Sequence, residues 1–346
     1  MSQCFSSVSA NKSENRTALL STLFLVSPVD DTSLLVYSPL SASVIICTRN
    51  RLRSILTCLK SLSEQTYPIQ QLIIVDSSND RLIKADMFLA HFSKERFPET
   101  DLVYIHTKPG LTHQRNEGVK RNRADVVFFF DDDVELTPSY IERLMSVFVE
   151  CPKYGGGMGQ IITDKLTGQR PIDLVRAIFG LTRSRASGRL QPSGFPTYSH
   201  GLEKFTDVEI LSGGITAYRA EVLTQFSFDE EVGGYAYMED VDFSYRVSHH
   251  YGLFYQPEAR IYHHRSPVGR DSIFVTRRMY ILNHNRFFFK NVYPRCRWCL
   301  VAYLWAIVGL YLVAVIQLDK ETLKGYTSAI RCILGKRIEE PNALSN

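Results

Sequence analysis

The sequence predicts an α/β protein built on a doubly wound, mostly parallel sheet, with an apolar helix near the C-terminus. Three observations carry this. Short β-branched runs alternate with segments of helical spacing through residues 43–151. Those runs end in polar residues, as strands do where a parallel sheet turns its carboxyl ends toward a ligand. Residues 298–318 are almost wholly apolar.

The elements follow in order. Residues 43–47 (SVIIC) read as a buried strand, which gives way to the polar loop Thr48, Arg49, Asn50, Arg51. Residues 54–65 place Ile55, Leu56, Leu59 and Leu62 at helical spacing, and Tyr67-Pro68 stops the helix. Residues 71–75 (QLIIV) form a second strand ending at Asp76, and residues 80–92 read as helix. Residues 102–106 form a third strand. Residues 112–123 form a helix carrying Arg115 and Asn116. Residues 125–130 (DVVFFF) form a fourth strand, ending at Asp131, Asp132 and Asp133. A further helix covers 138–151.

The second half is more mixed. Gly155-Gly156-Gly157 and residues 183–200 read as loops. Residues 209–218 read as a strand interrupted by Ser212-Gly213-Gly214. Residues 238–250 read as a helix with Val241, Tyr245 and Val247 on its apolar face. No internal repeat is visible.

Composition narrows the class. A net charge of +4 is too small to argue for nucleic acid, and suits anionic substrates or an anionic membrane surface. Seven scattered cysteines imply no disulfide framework. Cys296 and Cys299 form a lone C-x-x-C without the second pair a zinc site needs, so a reducing, cytosolic compartment fits. The apolar run 18–26 is too interrupted for a secretory signal, and residues 1–40, rich in Ser, Thr and Asn, read as a poorly ordered extension. Residues 298–318 (WCLVAYLWAIVGLYLVAVIQL) match the roughly 20 residues that cross a bilayer, with Arg295 and Arg297 just before them. This reads as a transmembrane or membrane-associated helix with the preceding domain facing the cytoplasm; residues 319–346 form a tail.

Three adjacent carboxylates repel one another unless a cation sits among them. An oxygen-rich site suits Mg²⁺ or Mn²⁺, which also take phosphate oxygens. In extended backbone Asp131 and Asp133 face one way and Asp132 the other. On the residues alone a second reading stays open: a solvated acidic turn that caps the next helix.

The motifs in sequence, SVIICTRNR, LIIVDSSND and PGLTHQRNEGVKRNRADVVFFFDDD, resemble the Rossmann-like nucleotide-binding half of family 2 glycosyltransferases of the GT-A fold. The resemblance extends over roughly residues 41–290 and implies an inverting, metal-assisted transfer from a nucleotide-sugar. It implies that Thr48, Arg49, Asn50 and Asp76 contact the nucleoside and that Arg115 lies near the diphosphate. Asp131, Asp132 and Asp133 would serve the donor, Asp131 and Asp133 as metal ligands. Where many members read DDGS, this chain reads DSSN after the second strand, so the second carboxylate is missing. GGYAYMEDVDFSYRV resembles the family's acceptor-side motif, with Glu239 and Arg246 beside the acceptor and Asp240 as the base. A helix dipole alone also favours acids at 239 and 240. The resemblance places His263, rather than His264, as the third metal ligand, and sets Gly213 and Gly214 beside the donor sugar, where a simple bulge is the alternative.

Residues 283–291 (NHNRFFFKN) precede the apolar run and read as a membrane-surface segment, not a nucleic-acid site. The expected partners are a UDP-, GDP- or dTDP-linked sugar, a glycan or lipid-linked acceptor, and the membrane. Two rival classes are a nucleotidyltransferase and a non-catalytic nucleotide- or glycan-binding membrane protein. The first would want a Gly-rich phosphate loop after strand one, and residues 48–51 have no glycine.

Overall fold

Four parallel strands bring the first half of the chain to one edge of the sheet. β1 (Ala42–Thr48) lies between β2 (Gln71–Asp76) and β4 (Val126–Asp131), and β3 (Asp101–His106) flanks β2. In register, Cys47 pairs with both Val75 and Asp131, so the polar strand ends are level. β1, β2 and β4 are buried on both faces, which is why they read as continuous apolar runs rather than alternating ones. The structure is a computed structural model and describes residues 40–79, 96–162, 171–181, 187–232, 236–264 and 271–335. The extension 1–40 (Leu40 apart) and the helix expected over 80–92 lie outside those residues.

Helix α1 (Leu52–Ser63) buries Ile55, Leu59 and Leu62 as expected, while Leu56 is only half-buried and Cys58 joins the buried face. α2 (Leu111–Val119) is shorter than predicted and has no apolar stripe. It buries Thr112, Gln114, Arg115 and Gly118 instead, and a Cβ on Gly118 would stand 2.7 Å from Ile45. Close approach of backbone to sheet, not an apolar face, seats this helix. After the acidic triplet come the short strand β5 (Val134–Leu136), which the sequence did not reveal, and α3 (Tyr140–Glu150).

The second half departs from expectation in several places. The glycine triplet is not a loop: it lies in β6 (Tyr154–Ile161), where Gly155, Gly156 and Gly157 make room for the rings of Tyr251, Tyr218 and Phe254. α4 (Pro171–Ile178) follows. The expected loop 183–200 holds a small hairpin, β7 (Arg189–Leu190) with β8 (Pro196–Thr197). β9 (Thr206–Val208) precedes β10 (Ile215–Arg219), so the strand expected over 209–218 begins only after Gly214.

β10 inserts antiparallel between β4 and β6, which makes the sheet mixed: β3-β2-β1-β4-β10-β6-β11-β5, with β9 on β11. α5 (Ala220–Gln225) and α6 (Glu239–Ser248) come next. On α6, Phe243 takes the core position expected of Tyr245, which is half-buried. β11 (Gly252–His263) is twelve residues long and ends at the histidine pair.

α7 (Ile273–Phe287) runs into a π-helical turn, Phe288–Val292, then α8 (Cys299–Ile316) and α9 (Lys320–Ile333). The expected tail 319–346 therefore contains a helix. The basic residues of 283–291 are not a free surface patch. Arg286 and Lys290 both bind Asp229, while Lys290 and Asn291 bind the buried Asp242 of α6. Cys296 and Cys299, expected to be unpaired, are joined to each other at the foot of α8; this short loop adds no cross-domain framework.

Candidate active site

The carboxyl ends of β1, β2 and β4, the start of β10, the start of α6 and the end of β11 converge on one crevice. Asp131 ends β4, Asp132 and Asp133 form the turn before β5, and this turn, not strand alternation, brings Asp131 and Asp133 to one side. His263 Nε2 lies 3.1 Å from Asp133 Oδ1 and 3.9 Å from Asp131 Oδ2. One donor atom from each of the three residues falls within 4.8 Å of the others. Two carboxylates and an imidazole are a donor set that fits Mn²⁺ well and Mg²⁺ less well. His264 turns elsewhere: its Nε2 meets Glu135 at 3.0 Å, and its backbone N–H donates to the Asp133 carbonyl.

Asp132 points the other way. It accepts from Thr48 Oγ1 at 2.7 Å and from Arg51 at 3.1 Å, and Arg51 also reaches Asp133 at 3.6 Å. Burial pushes the Asp132 carboxyl up to about 6, although Thr48 and Arg51 pull it down. Thus Asp132 ties the β1 loop beneath the pair that faces the crevice.

Arg115 reaches in from α2. Its Nη1 lies 2.5 Å from Glu239 Oε2, its Nη2 lies 3.7 Å from Asp131 Oδ1, and its guanidinium sits over the Phe228 ring. Burial, with Asp240 and Asp131 nearby, raises the Glu239 carboxyl to about 8 against the pull of Arg115. Asp240, half-buried at the start of α6, accepts from Gly213 N–H at 2.8 Å and from Val241 N–H at 2.9 Å. Its carboxyl is also raised, by burial first. Three acids in the first turn of α6 complement the positive end of the helix dipole.

Gly213 and Gly214 are needed where they stand. Gly214 has φ +77°, and its carbonyl accepts from the Asp131 N–H. A Cβ there would lie 2.1 Å from Asp131 Oδ2, and one on Gly213 would lie 2.8 Å from Glu239 Oε1. This is a tight turn leading into β10 and bonded to the end of β4, with both acids against its backbone, more than a simple bulge.

On the β2 side, Asp76 is fully buried. It accepts from Ser78 N–H and Oγ, and from Tyr104 OH at 2.6 Å. Asn50 links the β1 and β2 loops, its N–H donating to Ser78 Oγ and its side chain accepting from Asn79 N–H. Arg49 is exposed beside it. Arg246 is drawn away from the crevice, donating to Asp242 at 2.9 Å and to the Ser227 carbonyl at 2.7 Å. Two residues that sequence reasoning passed over matter here. Arg51 bridges Asp132 and Asp133, and Gln114 donates to the carbonyls of Thr48 and Val75, holding two strand ends level. Their only signal was their position in the polar runs TRNR and THQRN.

This sheet, with acids and a histidine gathered at its strand ends, has the arrangement of the GT-A fold. The chain belongs to glycosyl transferase family 2, whose family model matches residues 43–226. It is similar to an uncharacterized glycosyltransferase, YwdF, of Bacillus subtilis: 26% identity over 45% of this chain and 54% of that one. It is also similar to the amylovoran biosynthesis glycosyltransferase AmsB of Erwinia amylovora, 33% identical over 31% of this chain and 36% of that one. In fold it resembles GalNAc-T7, solved with UDP, GalNAc and Mn²⁺ (TM-score 0.56, 15% identity, 73% of this chain and 48% of that one). A second match is the mannosyltransferase PcManGT from Pyrobaculum calidifontis, solved with GDP-Man and Mn²⁺ (TM-score 0.51, 18% identity, 87% and 89%). The chain spans about half the length of YwdF and of GalNAc-T7.

Proposed function

We propose that this glycosyltransferase moves a hexosyl or deoxyhexosyl group, with inversion, from a UDP-, GDP- or dTDP-linked donor to a glycan or lipid-linked acceptor. The catalytic region would be residues 41–290. The observation that carries the reading is the set Asp131, Asp133 and His263, gathered within 4.8 Å at the strand ends. These three would hold Mn²⁺ or Mg²⁺, a reading supported by two neighbours of the same fold solved with Mn²⁺. When bound, such an ion supplies positive charge for the departing diphosphate without a proton transfer.

The remaining roles follow from the side chains. Asp240 removes the proton from the attacking acceptor hydroxyl, and its raised pKa suits a base that works near neutral pH. Arg115 adds a fixed positive charge beside Asp131 and keeps Glu239 in place. Gly213 and Gly214 let backbone approach the donor sugar. Thr48, Arg49, Asn50 and Asp76 form the nucleoside side, where Asp76 acts chiefly by shaping the Ser78–Asn50 loop. Arg246 supports the acceptor side through Asp242. The apolar helix α8 and the arginines before it support membrane association with the catalytic region on the cytoplasmic side.

The test is a thermal-shift panel of nucleotide-sugars with and without Mn²⁺. One donor is expected to raise the unfolding temperature, and to do so in a Mn²⁺-dependent way. Stabilisation by nucleoside triphosphates but by no nucleotide-sugar would overturn the reading in favour of nucleotidyl transfer.

A further inference from the structure

α8 is apolar all round, yet its two sides meet different surroundings. Tyr303, Ala306, Leu310 and Ala314 are buried against the protein, in clusters that include Phe195, Ile281, Met238 and Val241. The opposite side carries Val301, Leu304, Trp305, Val308, Leu312 and Ile316, all between 39 and 66% exposed. These positions follow the spacing of one helix face.

The exposed face does not stop at α8. Trp305 stacks on Phe179 and donates from Nε1 to the Ile178 carbonyl, which seats α4 beside it. Gly309 makes that approach possible, since a Cβ there would lie 2.2 Å from Phe179. Leu174 and Ile178 of α4 are 69 and 60% exposed, and Trp298 and Leu318 extend the apolar surface past both ends of α8. Two elements more than a hundred residues apart in sequence thus present apolar side chains around the same tryptophan. Such a patch marks an interaction surface.

Charge names the occupant. From 298 to 318 there is no charged residue, but Arg295, Arg297, Lys320, Lys324 and Arg331 bracket the stretch, against only Asp319 and Glu321. Aromatic and aliphatic side chains on one face with cations at the margins complement a bilayer whose headgroups are anionic. A helix that packs one side on its own catalytic domain cannot be surrounded by lipid as an isolated span would be.

We propose that α8 and α4 form a docking face that lies in the headgroup–acyl boundary of an anionic bilayer, with α8 parallel to the membrane plane instead of crossing it. This deepens the membrane association proposed above and rests on it, but its readout does not require turnover.

Trp298 and Trp305 are the only two tryptophans in the chain, and both lie on this face. The full-length protein is mixed with phosphatidylcholine vesicles, with and without phosphatidylglycerol, then assayed by flotation and tryptophan emission. The expected result is flotation and a blue shift that depend on phosphatidylglycerol. In W298F and W305F, the remaining tryptophan should be quenched more by lipid brominated near the glycerol than by lipid brominated near the chain end. In a spanning helix Trp305 would lie about 10 Å deeper than Trp298. Stronger quenching of Trp305 by the deep label therefore overturns the proposal.

L304E/V308E/L312E should lose flotation by more than about tenfold. R297A/K320A, which leaves the apolar face intact, should weaken binding about fivefold per charge and covers the case in which the triple variant fails to fold. D240N should float as the wild type does, so a failure of the transfer reading leaves flotation unaffected. A doubled mass in light scattering without flotation, returned to monomer by L304E/V308E/L312E, would assign the face to a second copy and overturn the proposal.

Discussion

Replacing Gly214 with alanine should disable the site while leaving the fold nearly intact. The new Cβ would stand 2.1 Å from Asp131 Oδ2, 2.6 Å from Oδ1 and 2.2 Å from Cγ. Ordinary contact begins at 3.4 Å, so Asp131 has to retreat by about 1.3 Å, the difference between 2.1 and 3.4. Rotating the carboxylate about its own bond does not relieve the overlap with Cγ, so the whole side chain must swing. It would then leave His263 and Asp133. A misplacement of about 1 Å in a reacting constellation costs about 100-fold in rate, or about 2.7 kcal/mol. The left-handed backbone adds about 1–2 kcal/mol of destabilisation with a Cβ present. Gly335 supplies the control: its φ is +78° and nothing lies within 4 Å of its Cβ position, so G335A carries the strain without the collision. The assay is kcat/KM with Mn²⁺ titrated, alongside urea unfolding of both variants. If G214A kept wild-type kcat/KM and Mn²⁺ half-saturation and lost only what G335A loses, Asp131 would have no role at the metal or the diphosphate.

Other perturbations probe separate parts of the site. D240N should lower kcat by about 10²–10⁴ with donor affinity unchanged in titration calorimetry; loss of donor affinity in place of kcat would remove Asp240 from the base role. Because burial raises the Asp240 carboxyl and a base must be ionised, the acid limb of kcat should lie above the ordinary aspartate value and activity should recover as pH rises through it. A limb at or below about pH 4 contradicts this. R115A removes the partner of the buried Glu239. Because that carboxyl is already raised to about 8, it stays mostly protonated near neutral pH. Urea unfolding should therefore show the cost of a lost buried hydrogen bond, about 1–3 kcal/mol, with R115A/E239A costing clearly less than the two single variants together. Asp229 is held at about 2: burial opposes this, but Lys290, the Glu231 N–H and Arg286 outweigh it. A folded value below the unfolded one gives stability that is present above about pH 4 and lost as pH falls toward 2. After discounting for solvent this is about 1–2 kcal/mol, and D229N should flatten the acid melting profile across that window.

The first half of the molecule was legible because its strands are buried on both faces. SVIIC, QLIIV and VVFFF leave little choice of element, and the level strand ends follow from parallel pairing. The direction reversal at β10 was not legible, since nothing in ITAYR states which way the strand runs in the sheet. β6 was misread because glycine usually signals a turn. Here its lack of a side chain serves Tyr218 and Phe254, which are far away in sequence. At the site, alternation anticipated the split of the acidic triplet, but Asp132 and Asp133 lie in a turn, so the split arises from turn geometry that the sequence pattern did not show. The tie of Arg246 to Asp242, and of Lys290 and Asn291 to the same carboxylate, depends on how α6 meets the π-helical turn, which no local pattern encodes. The exposed stripe of α8 was hidden for the opposite reason: a helix apolar on every side shows no period to read.

β11 imposes an order on the birth of the protein. Among the described residues it is the one strand that pairs with β5 and with β9, and it supplies one of the two neighbours of β6. As the chain leaves the ribosome, β1 to β4 can pair as soon as residue 131 emerges, but three strand edges stay open until residue 263 does. Open edges invite pairing with other chains. The nascent chain is thus most vulnerable between those two points, when over a hundred residues have appeared and neither Asp240 nor His263 has been made for most of that interval. The strand that brings His263 to Asp131 and Asp133 is also the one that closes these inner edges, so the acid–histidine cluster and the pairing of β5, β6 and β9 are completed in the same step of synthesis.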